Sequence, residues 1–156
     1  MAEPQLLTRM YHTILSRLVS DGRAPHYTEI ATQLGLSPDA ARDALHDLEG
    51  AGIPGFWLQP GTDYIASFAP FSNLPTQYLI SVEGQQRWYG QCGFESLAVS
   101  WLYPGKEIQI DCPCLDCNEP IRVRMRDGVI LEASPPSIVG HVNVPFSRWA
   151  ENIAFA

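Results

Sequence analysis

From the amino terminus the chain first repeats apolar residues at helical spacing. Leu6, Leu7, Met10, Ile14, Leu15 and Leu18 share one stripe, and Asp21-Gly22 closes it. The pattern predicts a short second helix over 28–35, stopped by Gly35. Ser37 and Pro38 then start a third, as N-cap and first helical residue. Ala41, Leu45 and Leu48 supply its apolar stripe, and the segment 50–52 ends it. Strand-like pieces near 55–58 and 64–68 flank a turn at 60–63. The stretch 70–75 is rich in turn formers and reads as a linker.

Beyond the linker the period falls to two. Tyr78, Ile80 and Val82 alternate with Leu79, Ser81 and Glu83, and Gly84 turns the chain into 87–91. Residues 106–111 alternate again. Ile121, Val123 and Met125 alternate with Arg122, Arg124 and Arg126, which read as the solvent face of a hairpin. Asp127-Gly128 is a strong hairpin turn into 129–131, and 138–144 is a further strand candidate. One helix interrupts the strands, over 92–103, with Phe94, Leu97, Ala98 and Trp101 as its core stripe and Pro104-Gly105 as its stop.

These elements make an α+β chain. A winged-helix-like helical part, 1–69, is expected to pack on a mixed or antiparallel sheet, 70–156, that carries a cysteine site. The reader helix of a winged helix would be the third. It offers Arg42 and His46 against Asp39, Asp43, Asp47 and Glu49, and phosphate repels such a face. The net charge of −7 points the same way. The reading is a structural module, with no nucleic-acid partner. No apolar run approaches the roughly 20 residues of a membrane helix, and the first residues carry no basic-then-apolar leader. A cytoplasmic protein is expected, with no membrane partner. Thiols stay reduced there, so cysteines read as metal ligands or reactive groups before disulfides.

The four cysteines are Cys92, Cys112, Cys114 and Cys117. Cys92 begins the 92–103 helix, where free N–H groups and the helix dipole favour a thiolate. Glu95, three residues on, lies on the same side and off the apolar stripe. An apolar pocket would raise its pKa and keep it protonated. Sulfur beside a proton donor is what protonolysis of a metal–carbon bond requires. The segment 112–117 reads as a loop between strands, kinked by Pro113, that can carry Cys114 to face Cys92. Against this, Cys114-x-x-Cys117 matches half of a structural zinc site, and with Cys112 and Cys92 it would close a four-thiolate one. On spacing alone, metal binding and catalysis stand level. His12, His26 and His46 fall in the helical part with surface or packing roles, while His141 is placed to line a pocket.

Three stretches are familiar in this order. They are Phe71-Ser72-Asn73-Leu74-Pro75-Thr76 leading into Tyr78-Leu79-Ile80-Ser81-Val82-Glu83-Gly84, then Trp88-Tyr89-Gly90-Gln91-Cys92-Gly93-Phe94-Glu95-Ser96-Leu97, then Cys112-Pro113-Cys114-Leu115-Asp116-Cys117-Asn118-Glu119-Pro120-Ile121. Together they resemble the alkylmercury lyase (organomercurial lyase) family, as do Leu34-Gly35-Leu36 and Ser137-Ile138-Val139. The resemblance implies a cofactor-free enzyme that splits carbon–mercury bonds by protonolysis, giving a hydrocarbon and Hg(II). Cys92 matches the family's first catalytic cysteine and Cys114 its second. Glu95 stands where the family usually carries an aspartate. Trp149 falls where the family has a cysteine near the C-terminus, whereas Cys112 and Cys117 are additional thiols.

The resemblance thus implies catalysis by Cys92, Glu95 and Cys114, with Cys92, Cys112, Cys114 and Cys117 as mercury ligands. The partners are a small organometallic substrate and, for the product, small-molecule thiols or a mercuric reductase. A homodimer is compatible with the sequence. The alternative from another class is a non-catalytic thiolate protein or sensor holding zinc, copper or mercury on the same scaffold.

Overall fold

The computed structural model describes residues 2–142 and 144–151. The chain divides into two compact units, Met1–Phe68 and Ala69–Ala156.

In the first unit α1 (Pro4–Asp21), α2 (Tyr27–Leu34) and α3 (Pro38–Gly50) are followed by the antiparallel strands β1 (Phe56–Leu58) and β2 (Ile65–Phe68). Local signals set the boundaries. Gly22 and Gly35 end α1 and α2 in the left-handed conformation that favours glycine. Ser37 caps α3 by accepting the Ala40 N–H at 3.2 Å. At α2 the cap is His26, whose ring accepts from Thr28 while Glu29 reaches back to the His26 N–H at 2.8 Å, a reciprocal capping box. Met10, Ile14, Leu18, Ile30, Ala41, Leu45, Leu48 and Phe68 form the core. The acidic face of α3 is as the sequence suggests, and Arg42 on it is held by Asp39 at 3.2 Å and Asp43 at 3.8 Å.

The second unit is an antiparallel sheet in the order β3-β5-β4-β6-β7-β8. Its strands are β3 (Phe71–Ser72), β4 (Leu79–Val82), β5 (Gln85–Gly90), β6 (Ile108–Pro113), β7 (Pro120–Arg126) and β8 (Val129–Ser134). Two hairpin turns need positive φ at both central residues: Glu83-Gly84 at 51° and 77°, and Asp127-Gly128 at 49° and 81°. One face is apolar, with Ile80, Val82, Trp88, Ile108, Ile110, Val123 and Met125 buried. The opposite face carries the arginine ladder. Arg122 pairs with Asp111 at 2.7 Å, and Arg124 with Glu107 and Glu132 at 2.8 Å each. The arginines are a solvent face, as the alternation predicts.

Four expectations need correction. The stretch 70–75 is not a linker: Phe71 pairs with Gly90 in the sheet and is fully buried, a burial worth about 2 kcal/mol. Cys112 and Pro113 are strand, not loop, pairing with Ile121 and Pro120. Pro113 is tolerated there because it takes the last pair of the ladder. The 138–144 candidate forms no strand among its described residues, and His141 lies exposed in irregular chain.

The fourth correction concerns the interrupting helix. Only α4 (Gly93–Ala98) is α-helical, and a 3-10 turn, Val99–Leu102, continues it. Its buried side is Ser96, Val99 and Ser100, whereas Phe94 and Trp101 are 53% and 69% exposed. Small residues face the sheet because the backbone comes close. A Cβ on Gly90 would run into the Ser96 hydroxyl. The two aromatics cover glycines instead, Phe94 over Gly140 and Trp101 over Gly128.

Candidate active site

Cys92 is the N-cap of α4, with extended backbone (φ −146°, ψ 172°). Its Sγ accepts the Glu95 N–H at 3.4 Å, long but ordinary for sulfur, and its carbonyl accepts the buried Ser96 hydroxyl at 2.7 Å. The side chain is only 7% exposed. Burial pushes the thiol pKa up, and the neighbouring Glu95 charge adds to the rise; the N–H groups of Glu95 and Phe94 oppose both without winning. The thiolate expected from the helix N-terminus is therefore overruled. A helix of six residues has little dipole, and desolvation acts on the whole charge.

Glu95 sits with Cys92, as its position three residues on predicts. Burial raises the pKa of its carboxyl, partly offset by a hydrogen bond shared with the Cys92 thiol. Oε2 is buried with no hydrogen-bond partner among the described residues. Burial thus favours the protonated form of both the thiol and the carboxyl.

Tyr78 completes the surroundings and was not singled out from the sequence. It continues β4 one residue outward, its carbonyl accepting the Gly90 N–H at 2.9 Å. Its ring lies 3.3 Å from where a Gly93 Cβ would stand, and the Gly93 N–H reaches its hydroxyl. Burial raises its pKa, and the sulfurs of Cys112 and Cys92 are both close enough to add to the effect. The signal in the sequence was a hydroxyl-bearing aromatic ending an otherwise aliphatic strand face.

The sheet register orders the remaining cysteines. Leu79 pairs with Tyr89 of β5 and with Asp111 of β6, so Tyr78 lies level with Gly90 and Cys112. Both flanking strands run on past this level in the same direction, to Cys92 and to Cys114. Cys112 is half-buried, and burial with the adjacent Asp111 charge pushes its thiol pKa up. Cys114 opens a tight turn: its N–H bonds the Glu119 carbonyl at 2.8 Å, and its carbonyl accepts the Asn118 N–H at 2.9 Å. Its sulfur accepts backbone N–H groups of Cys117 and Asp116 and the Cys117 thiol, which together pull its pKa down. Cys117 is exposed.

The structure thus brings Cys92 to Glu95 and Cys114 to Cys117, with Cys112 and Tyr78 between the two pairs. All four thiols are free. Among the described residues no three His, Cys, Asp or Glu side chains are grouped to hold a metal ion. Trp149 lies in a 3-10 turn, Phe146–Glu151, and its indole N–H donates to the Val144 carbonyl at 2.9 Å; residues 152–156, which follow the turn, lie outside the described residues. The groove around His46, Glu49 and Asp63 in the first unit holds no thiol, and its polar groups bond one another, His46 Nε2 to Asp63 at 2.7 Å. No described helix is long and apolar enough to cross a membrane.

Comparison with known proteins gives this geometry a lineage. No curated protein matches the chain. Among solved structures, the mercury-bound form of MerB2 is similar, with a TM-score of 0.63 at 18% identity; the match covers 86% of this chain and 62% of that one. The chain therefore spans less than two thirds of that neighbour's length, and the likeness establishes an α+β fold in common. The family model for alkylmercury lyase matches residues 71–155, more than half of the chain and the whole of the cysteine-bearing sheet. The chain belongs to the alkylmercury lyase family.

Proposed function

We propose that the protein cleaves carbon–mercury bonds by protonolysis, and that the hydrogen-bonded pair of Cys92 and Glu95 carries the reaction. The supporting observation is a buried thiol beside a largely buried carboxyl, joined through the Glu95 N–H to the Cys92 sulfur, with burial favouring the protonated form of each. R–Hg⁺ arrives on an outside thiol. The Cys92 sulfur bonds mercury as its proton passes to the Glu95 carboxylate, and the outside thiol leaves. Cys114 adds as a second sulfur ligand. Two thiolates push electron density into the carbon–mercury bond, and Glu95 returns the same proton to carbon as the bond breaks. The hydrocarbon departs, Glu95 is again a carboxylate, and Hg(II) stays on sulfur. No oxidant, reductant or cofactor enters.

A raised thiol pKa suits this sequence of events. A permanent Cys92 thiolate would bind mercury but bring no proton, and the carboxyl would have to find one from water. The glutamate in place of aspartate supports the same reading, because its longer side chain turns back to the sulfur of its own helix cap. We read the first unit as a winged-helix-like structural module and the protein as cytoplasmic, with thiols or a mercuric reductase taking the product.

The test is to incubate the reduced protein with methylmercury and excess thiol and follow methane in the headspace. Methane should appear catalytically from the wild type and not at all from Cys92→Ser. A wild type that binds methylmercury and releases no methane ends the proposal.

A further inference from the structure

Cys117 has no part in the cleavage scheme, yet it stands three residues from Cys114 on one turn, closed by the Asn118 N–H on the Cys114 carbonyl at 2.9 Å. Residues 114–119 are closed by the Cys114–Glu119 and Asn118–Cys114 backbone bonds, and Asn118 takes the left-handed conformation at φ 61°. Two cysteines three residues apart on a closed turn are held as neighbours by the backbone before any ion arrives. Exposure rises along the thiols, from buried Cys92 through half-buried Cys114 to exposed Cys117. Cys112 does not offer the same outlet, because it is held in β6 at the level of Tyr78, before the turn.

We propose that Cys114 and Cys117 form a second, surface site for a two-coordinate thiophilic metal ion, from which Hg(II) leaves the protein to an external thiol. This rests on the lyase reading for the origin of the ion, but not for its binding. The transfer is one exchange. The Cys117 sulfur bonds mercury, the Cys92–mercury bond breaks, and the Cys117 proton ends on Cys92. Charge and electrons balance, and Cys92 is restored as the thiol that the next cycle needs. The ligand class follows from the donors. Two thiolates with nothing else suit soft ions that accept linear coordination; a structural zinc site takes four ligands.

The experiment uses the full chain carrying Cys92→Ser, titrated with mercuric chloride against glutathione, so that no carbon–mercury bond is involved. One Hg(II) per chain should be retained, and adding Cys117→Ser should weaken retention about 100-fold, the usual loss when a chelate becomes a single contact. Iodoacetamide mapping of the mercury-loaded Cys92→Ser protein should find Cys114 and Cys117 protected together, a readout that needs no change at either position. Equal retention with and without Cys117, or alkylation of either thiol in the loaded protein, overturns the proposal. Failure of the lyase reading shows separately, as absent methane from the wild type in the methylmercury assay.

Discussion

Cys92 and Cys114 are both approached by backbone N–H groups, and both stand beside a second ionisable side chain. Their protonation nevertheless moves in opposite directions. At Cys92 burial costs the thiolate more than two N–H contacts return, and the neighbour is a carboxylate, so the proton stays. At Cys114 the N–H groups of the turn and a donating thiol act where water still reaches, so the proton is lost more easily. Backbone donors alone do not make a thiolate; the cost of desolvation decides whether they succeed. One fold thereby holds one sulfur disposed to keep its proton and another disposed to lose it.

The sharpest way to break this contrast is Glu95→Gln. The amide can neither take the thiol proton nor return it to carbon. Methane release should fall by about 10²- to 10⁴-fold, the usual worth of a positioned acid, while methylmercury capture survives. The pH profile of the wild type should be bell-shaped, because the pair needs one shared proton. The acid limb lies above the ordinary carboxylic range, where Glu95 must ionise to receive the thiol proton. The alkaline limb lies above the ordinary thiol range, where Cys92 loses it. Glu95→Gln with normal methane release would remove the acid from the scheme.

A smaller effect separates the sulfurs without mercury. At neutral pH iodoacetamide should modify Cys114 at least roughly tenfold faster than Cys92, since the thiolate is the nucleophile and Cys92 is both protonated and covered. Quantitative mapping of the two peptides over time reads the ratio directly. Equal rates would show that the difference in environment has no chemical consequence.

Much of this arrangement is legible in the chain itself. Alternation places β4, β6 and β7, Asp127-Gly128 places its hairpin, and the three-residue step puts Glu95 beside Cys92. What escapes has a common physical origin in contacts that no local pattern encodes. Phe71 sits in a turn-like stretch and becomes strand because Gly90 receives it across the sheet. The stripe of α4 misleads because the sheet comes so close at Gly90 that only Ser96 fits, and the aromatics turn outward onto Gly140 and Gly128. Tyr78 joins the site through the register of three strands. The pKa of Cys92 follows from depth, and sequence spacing carries no depth.

The smallest expected effect is on stability, and it tests the burial of Glu95 apart from any chemistry. Its carboxyl is pushed up in the folded protein, so the native state holds the proton more tightly than the unfolded chain does. Below the unfolded value both states are protonated and the carboxyl costs nothing. As pH rises towards the folded value, the unfolded chain ionises first, and stability falls through that window. At neutral pH the wild type thus carries the cost of a buried, unsatisfied Oε2. Glu95→Gln removes the charge and keeps the shape, so it should stabilise the protein at pH 7 by about 1 kcal/mol, the part of the charge-burial cost that remains after solvent screening. The gain should vanish in acid below the unfolded carboxyl range. Urea unfolding of both proteins at the two pH values measures it. A Glu95→Gln protein that is less stable at neutral pH would mean that the carboxylate is satisfied in the fold, which would leave Glu95 no electrostatic reason to take the Cys92 proton.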